Sequence, residues 1–386
     1  MGVAHPYNIE MLRKSAARKL PRPIFDYIEG GAEDESALRR STGAYDQYQL
    51  LPRALQDVSN LELGTRLFGC EVAWPLMLGP TGLTRLFHRN AELAVARAAG
   101  QAGLPYCLST LGTTTIEEVA QSAPGPKLFQ IYIFKDRGLT VEFVDRAREA
   151  GYSGLVLTID TLMSGKRERD RRNGLSLPPR LTPRSFVDFA LRPAWSIPAL
   201  FGRKFDFVNL AHRVEALSAA PTSLYQYADS QFDRSLTWKD VEWLARQWDG
   251  PLAVKGILTA DDARLAGESG ADTVMVSNHG GRQLDGAASP IDQIGPIADA
   301  VSGRLTIICD GGIRRGEHIA KALALGADAC SIGRPYLYGL AAGGERGVSC
   351  ALNILREEYE RTLVLMGASG QAALSRSMIS HRPIKP

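Results

Sequence analysis

The stretch LAVKGILTADDARLAGESGADTVMVS, Leu252–Ser277, decides the fold. It opens on the apolar run Leu252–Lys255 and closes on another, Thr273–Ser277. Between them, Ala260–Glu268 spaces alanine and leucine among charged residues in the manner of a helix lying on a sheet. Strand, helix and strand in succession argue for parallel pairing. The same rhythm recurs along the chain. Further runs of strand character are Pro75–Leu78, Tyr106–Ser109, Leu128–Ile131, Leu155–Ile159, Leu305–Cys309 and Ala329–Ile332. Further helical patterns are Ala91–Ala102, Leu139–Ala150 and Glu317–Leu325. Eight units in roughly 270 residues predict an α/β fold of the closed (β/α)8 TIM barrel type. An open doubly wound sheet is the alternative, but no GxGxxG opens the first unit. The expected organisation is one domain over 1–386, with an N-terminal helical segment (1–70) packed around Tyr27 and the barrel over 71–386.

The composition sets bounds on function. Apolar residues make up 45% of the 386 and charged residues 23%, as in ordinary globular enzymes. A net charge of +3 gives no case for nucleic acid. The five scattered cysteines fit a reducing, cytoplasmic compartment and show no metal-ligand spacing, so no metal is expected. There is no signal core at the N-terminus and no run long enough to span a bilayer.

One connection breaks the rhythm. About 90 residues separate Asp160 from Leu252, far beyond an ordinary barrel loop. In the middle of this insertion after strand 4, Pro178–Arg213, Phe186, Phe189, Trp195, Phe201, Phe205 and Phe207 interleave with Arg180, Arg184, Arg192, Arg203, Lys204 and Arg213, while the only acids are Asp188 and Asp206. That composition predicts a membrane-associating segment over 177–215, peripheral on the cytoplasmic face of an inner membrane. A lid or subunit contact on the barrel mouth is the competing reading.

Barrel active sites form at the carboxyl ends of the strands. Those ends read Pro80-Thr81-Gly82, Ser109-Thr110, Gln130 to Tyr132, Thr158 to Asp160, Lys255-Gly256, Ser277 to His279, Asp310-Gly311-Gly312 and Gly333-Arg334. Almost all of them offer a hydrogen-bonding or titrating group. In SNHGGRQLD (Ser277–Asp285), His279 is suited to moving a proton near neutral pH and Arg282 to gripping a carboxylate. Asp160 could orient the imidazole or merely cap a turn. DGGIRRG (Asp310–Gly316) and SIGRP (Ser331–Pro335) follow strands seven and eight, where barrels hold phosphate; Gly311, Gly312 and Gly333 let backbone approach it, and Arg314 or Arg334 can neutralise it. Tight turns and surface arginines are the plainer account. Lys255 could form a Schiff base or hold positive charge against an electron-rich ring.

These segments resemble the FMN-dependent 2-hydroxy-acid oxidase and dehydrogenase family. The resemblance is carried by KLPRPIFDYIEGGAED, GPTGL, FQIY, LTID, VKGILTADDARLA, SNHGGRQLDG, DGGIRRG, KALALGA and IGRP, in order from about Lys19 onward. It implies FMN as cofactor and a 2-hydroxy acid as substrate. His279 would then be the base and Asp160 its partner. Arg167 and Arg282 would grip the substrate carboxylate, with Tyr27 and Tyr132 contacting carboxylate and hydroxyl. Lys255 would stand at the flavin N1–C2 edge. Pro80, Thr81, Gly82, Ser109, Gln130, Thr158 and Ser277 match flavin-contacting positions, and Asp310, Gly311, Gly312, Arg314, Gly333 and Arg334 ribityl and phosphate positions. A homotetramer is also implied.

Two departures refine this. Leu111 stands where glycolate-oxidase-like members place tryptophan, and Gly82 where oxidases often carry alanine. Gly82 and the basic–aromatic insertion point to the membrane dehydrogenase branch, acting on lactate or a mandelate-type acid, with lactate ahead, and passing electrons to a quinone or another non-oxygen acceptor. The alternatives are an oxygen-using oxidase, a flavin-free aldolase or isomerase barrel, and a membrane-surface binding module.

Overall fold

The computed structural model describes residues 6–173, 183–202, 207–210 and 230–382. Eight parallel strands close into a barrel: β1 (Leu76–Leu78), β2 (Tyr106–Ser109), β3 (Lys127–Ile131), β4 (Gly154–Thr158), β5 (Leu252–Ile257), β6 (Thr273–Ser277), β7 (Thr306–Asp310) and β8 (Ala329–Ile332). Closure comes from β8 on β1, with Cys330, Ser331 and Ile332 opposite Leu76, Met77 and Leu78. Every strand anticipated from the sequence is present, with ends shifted by no more than a residue or two. Side chains buried on both faces explain why these strands read as continuous apolar runs.

Around the barrel stand the helices Ala91–Gln101, Ile116–Ser122, Arg137–Glu149, Trp238–Trp248, Ala260–Glu268, Pro290–Val301, Gly316–Ala324 and Arg334–Met366. Their starts follow local chemistry. Thr115 and Glu118 form a reciprocal capping box, and Thr259 accepts the Asp262 N–H. Four of these helices were not among the helical patterns read from the sequence: Ile116–Ser122, Trp238–Trp248, Pro290–Val301, which carries Pro296 inside it, and the long closing helix, broken at Gly343 and Gly344.

The barrel interior is filled by Met77, Cys107, Leu128, Val156, Ala253, Met275, Ile308 and Ala329, and Leu67, Phe68 and Val72 pack onto this cluster from outside the barrel strands. Those three residues belong to the hairpin Thr65–Leu67/Cys70–Val72. The segment before the barrel is therefore only partly helical. Helices Ile9–Lys19, Arg22–Glu29 and Ser36–Gly43 come first; then Tyr48–Leu50 pairs antiparallel with Ile379–His381 near the other end of the chain.

The insertion after β4 carries helices Glu168–Arg172, Pro183–Ala190 and Pro193–Phe201. Trp195 donates through Nε1 to the Leu86 carbonyl at 2.7 Å and its ring meets Phe189 at 5.2 Å, which docks the pair of helices on the barrel. Val187, Leu191, Ile197, Leu200 and Phe201 are left exposed, Phe201 by 87%. Arg180, Arg203, Lys204, Phe205, Asp206 and Arg213 lie outside the described residues, as do the side chains of Arg184 and Phe186. Among the described residues, no helix is long and apolar enough to cross a membrane.

Candidate active site

A cavity of about 180 Å³ opens at the carboxyl ends of the barrel strands. Every residue that the family resemblance assigned to the site lines it except Asp160 and Ser277, which stand directly behind it.

His279 follows β6 with φ +56°, ahead of Gly280 and Gly281 at +64° and +71°. Three successive left-handed residues turn the chain back sharply, a strained conformation for a histidine. The turn is fixed by the Gly281 N–H donating to Asn278 Oδ1 at 3.2 Å and by the Ala32 N–H donating to the Gly281 carbonyl at 2.8 Å. His279 Nδ1 lies 2.7 Å from Asp160 Oδ1. Burial alone would raise the Asp160 carboxyl, but His279 and Lys255 hold it below the usual carboxylate range. An ionised carboxylate at that distance makes Nδ1 the donor, leaving the lone pair on Nε2. Burial, with Lys255 and Arg167 adding to it, lowers the imidazole pKa despite Asp160, so the ring is neutral near pH 7.

Arg282 and Arg167 both stand over the ring of Tyr27, their guanidinium carbons 4.9 and 5.6 Å from its centroid. Arg282 donates to the carbonyls of Tyr27 and Gly30 at 2.7 and 3.0 Å. Burial and then the charge of Arg167 push Arg282 down to about 10. Two cations crowded into a buried space favour an anion between them.

On the other side, Lys255 Nζ lies 3.3 Å from Asp310 Oδ2 and 3.1 Å from Ser277 Oγ. Ser277 in turn donates to Asp310 and accepts the His279 N–H. Burial opposes the lysine's charge, yet Asp310 and Asp160 hold its pKa above the usual value, so it stays an ammonium. Ser277 is thus the joint between the lysine and the histidine turn. Arg334 spends donors on the carbonyls of Ile28, Gly280 and Gly30, which makes it a brace between the N-terminal segment and the mouth as well as a cavity wall.

Three aromatic wall residues were not foreseen as such. Phe87 lines the main cavity. Phe207 and Phe232, both from the insertion, close a side cavity of about 60 Å³ together with Leu83, Leu111, Tyr132 and others. Phe207 is anchored by Asn209, whose Oδ1 accepts the Ile116 N–H at 3.2 Å and Arg146 Nη2 at 3.1 Å. Phe232 meets the Tyr132 ring edge-on at 5.1 Å. In sequence these phenylalanines were indistinguishable from the rest of an aromatic-rich segment.

A parallel barrel with a buried imidazole–carboxylate pair, two arginines and a glycine-rich turn after β7 is the frame of a flavin-barrel oxidoreductase, and the chain belongs to the FMN-dependent dehydrogenase family, whose sequence profile matches residues 16–381. The L-lactate dehydrogenase of Pseudomonas aeruginosa strain PAO1 is 42% identical over 367 residues, 94% of this chain and 95% of the relative. Glycolate oxidase of Spinacia oleracea is 39% identical, covering 97% and 95%. The crystal structure of the monotopic membrane protein (S)-mandelate dehydrogenase superposes with a TM-score of 0.93 at 37% identity, covering 98% of this chain and 100% of that one. The reaction class is FMN-dependent oxidation of a 2-hydroxy acid.

The residues present fit that cofactor. Gln130 Nε2, Thr158 Oγ1 and Ser331 Oγ are buried, and none has a hydrogen-bond partner among the described residues. All three residues line the cavity, as does the Lys255 ammonium. Buried polar groups are ordinarily satisfied, so unpaired donors and a fixed cation beside a cavity point to a polar, electron-rich ligand.

Proposed function

We propose that this chain oxidises an (S)-2-hydroxy acid with an apolar, aromatic-sized side chain and passes the electrons to a quinone or another non-oxygen acceptor at a membrane surface. The observation that carries the substrate reading is the side cavity walled by Leu111, Phe207 and Phe232 next to the arginine pair. An acid whose carboxylate lies between Arg167 and Arg282 can direct its side chain into that cavity, against the apolar surface of Leu83, Leu111, Phe207 and Phe232, where a phenyl group removes far more surface from water than a methyl. Lactate is the second reading, supported by the 42% identity to an L-lactate dehydrogenase.

In this reading, bound FMN supplies the two-electron acceptor. Arg167 and Arg282 fix the carboxylate, and Tyr27 and Tyr132 border the carboxylate and hydroxyl. His279 takes a proton at Nε2, and Asp160 stabilises the imidazolium that results. Lys255 would supply positive charge to the bound ring, and Gln130, Thr158, Thr81, Ser109, Pro80 and Gly82, which line the same cavity, would hold it. Gly311, Gly312, Gly333 and Arg314 would hold the phosphate. Phe87 and Leu111 keep water from the reacting face.

The test is an anaerobic substrate panel read by bleaching of the flavin. An aryl 2-hydroxy acid should reduce it with a higher kred/Kd than lactate; a preference for lactate or glycolate would reverse the assignment. In His279→Ala the flavin should remain bound while its reduction slows by about 10²–10⁴-fold.

A further inference from the structure

The turn Gly311–Arg314 is held from behind by two stacked rings. We propose that Tyr45 and His318 are positioning residues that set this turn for the FMN phosphate. The inference rests on reading the turn as the phosphate cradle.

Gly311 and Gly312 adopt φ +139° and +76°, conformations open to glycine among many others, so the turn's shape depends on what packs against it. Gly312 presses on the N-terminal segment so closely that a Cβ there would meet the Ser41 carbonyl oxygen at 1.9 Å. Tyr45, fully buried, comes from that segment, and His318 from the helix Gly316–Ala324 that follows the turn. Their rings lie parallel within 7°, with centroids 4.3 Å apart. The Tyr45 hydroxyl donates to the Gly311 carbonyl at 3.0 Å. In a planar trans peptide the C=O and the following N–H point in opposite directions. Tying the Gly311 carbonyl back to Tyr45 therefore aims the Gly312 N–H away from that ring, on the side where the cavity lies.

His318 does the matching work two residues on. Its Nδ1 accepts the Arg314 N–H at 3.3 Å. By the same planarity the Ile313 carbonyl is turned the other way, and there it accepts Arg314 Nη1 at 2.7 Å. His318 thus fixes the peptide that folds the Arg314 side chain. A hydrogen bond to the Gly312 backbone ties the same ring to the turn a second time. Accepting from Arg314 requires a neutral ring. Burial, then the charges of Lys321 and Arg314, keeps the imidazole down to about 3, so the acceptor persists over any working pH. Lys321 locks the assembly by donating to the Tyr45 carbonyl at 3.2 Å and pairing with Glu317 at 3.0 Å.

The prediction separates FMN from riboflavin, which has the same ring and no phosphate. Flavin fluorescence on dilution of the holoenzyme gives the dissociation constant for FMN, and the riboflavin-loaded protein gives the other. His318→Phe keeps the stack and removes the acceptor. It should weaken FMN about tenfold, as expected for one buried donor left unpaired, while riboflavin changes by less than about twofold. The ³¹P resonance of bound FMN should move in the same variant. His318→Gln, which restores an acceptor, should recover most of the FMN affinity. Equal loss of both flavins, or unchanged FMN affinity, overturns the positioning role. A wild-type protein that binds FMN no better than riboflavin overturns the cradle reading itself. Should His318→Phe fail to fold, Tyr45→Phe decides: a loss confined to FMN supports the role, and an unchanged FMN-to-riboflavin ratio removes it.

Discussion

As the proposed base, His279 would accept a proton while buried near a carboxylate and an ammonium, and its expected pH behaviour follows from that position. The neutral ring is the reactive form. Protonation therefore removes activity, and kcat/KM rises with pH until the imidazole is deprotonated. Because burial, reinforced by Lys255 and Arg167, lowers its pKa against the pull of Asp160, the rise should end below the ordinary imidazole range, leaving a plateau through neutral pH. Asp160→Asn removes the only one of these influences, apart from the hydrogen bond it also provides, that favours the imidazolium. The acidic limb should then move to lower pH, and flavin reduction at the plateau should slow by about 10²-fold or more as the ring loses the anion that orients it. Stopped-flow reduction across pH measures both, and a limb that moves upward contradicts the arrangement. At this scale the sequence was informative where function demands rare chemistry in a fixed place. His279, Arg282, Lys255 and Asp310 all fall at strand ends, and a period of one strand per unit locates them. Phe207 and Phe232 were hidden because an apolar wall residue has no local signature; only the fold tells a phenylalanine facing a cavity from one facing outward.

Elements show the same division. The barrel strands are apolar without interruption because both faces are buried, and such runs survive any choice of register. Pro290–Val301 escaped notice because Pro296 removes a backbone donor and reads as a break, although the helix carries it. The hairpin Thr65–Leu67/Cys70–Val72 was missed because its role, packing Leu67, Phe68 and Val72 onto the interior cluster, is fixed by distant residues. The turn after β6 is the element on which the site leans most. A Cβ on Gly281 would come within 2.5 Å of the Leu38 N and 2.7 Å of its Cα, at a φ of +71°. Leu38 belongs to the helix Ser36–Gly43, and backbone cannot give way as a side-chain tip can. Gly281→Ala should thus cost well over about 1 kcal/mol and loosen the N-terminal segment from the mouth. Thermal unfolding should shift downward, and KM for the acid should rise, since Arg282 is held by the Tyr27 and Gly30 carbonyls of that segment. An unchanged melting temperature would mean the contact is slack.

Across the whole molecule, the insertion after β4 joins two surfaces that the barrel alone would keep apart. It leaves the mouth past Asp160 and Arg167, runs out through Pro183–Ala190 and Pro193–Phe201, and has returned by Phe207–Leu210, where Phe207 walls the side cavity and Asn209 is buried. Trp195, bonded to the Leu86 carbonyl, holds the outer helices beside Phe87, itself a wall of the active site. The apolar side chains these helices expose are therefore fixed close to the mouth rather than on a free tether. A cluster of Val187, Leu191, Ile197, Leu200 and Phe201 facing solvent is larger than scattered surface apolars explain, and it suits shallow burial in a bilayer interface. Burying a leucine or phenylalanine side chain is worth roughly 1.5–3 kcal/mol, so replacing two should weaken partitioning by about 10²–10⁴-fold. Leu200→Ser with Phe201→Ser should accordingly leave the protein in the supernatant when it is spun with lipid vesicles that retain the unmodified chain. Both positions lie on the exposed face, by 77% and 87%, so folding and flavin reduction by the hydroxy acid should persist. Reduction of a soluble dye should continue at the original rate while reduction of a membrane-dissolved quinone falls. Cosedimentation equal to that of the unmodified chain would assign these helices to another contact, and dye activity lost together with binding would mean that they support the mouth rather than dock it.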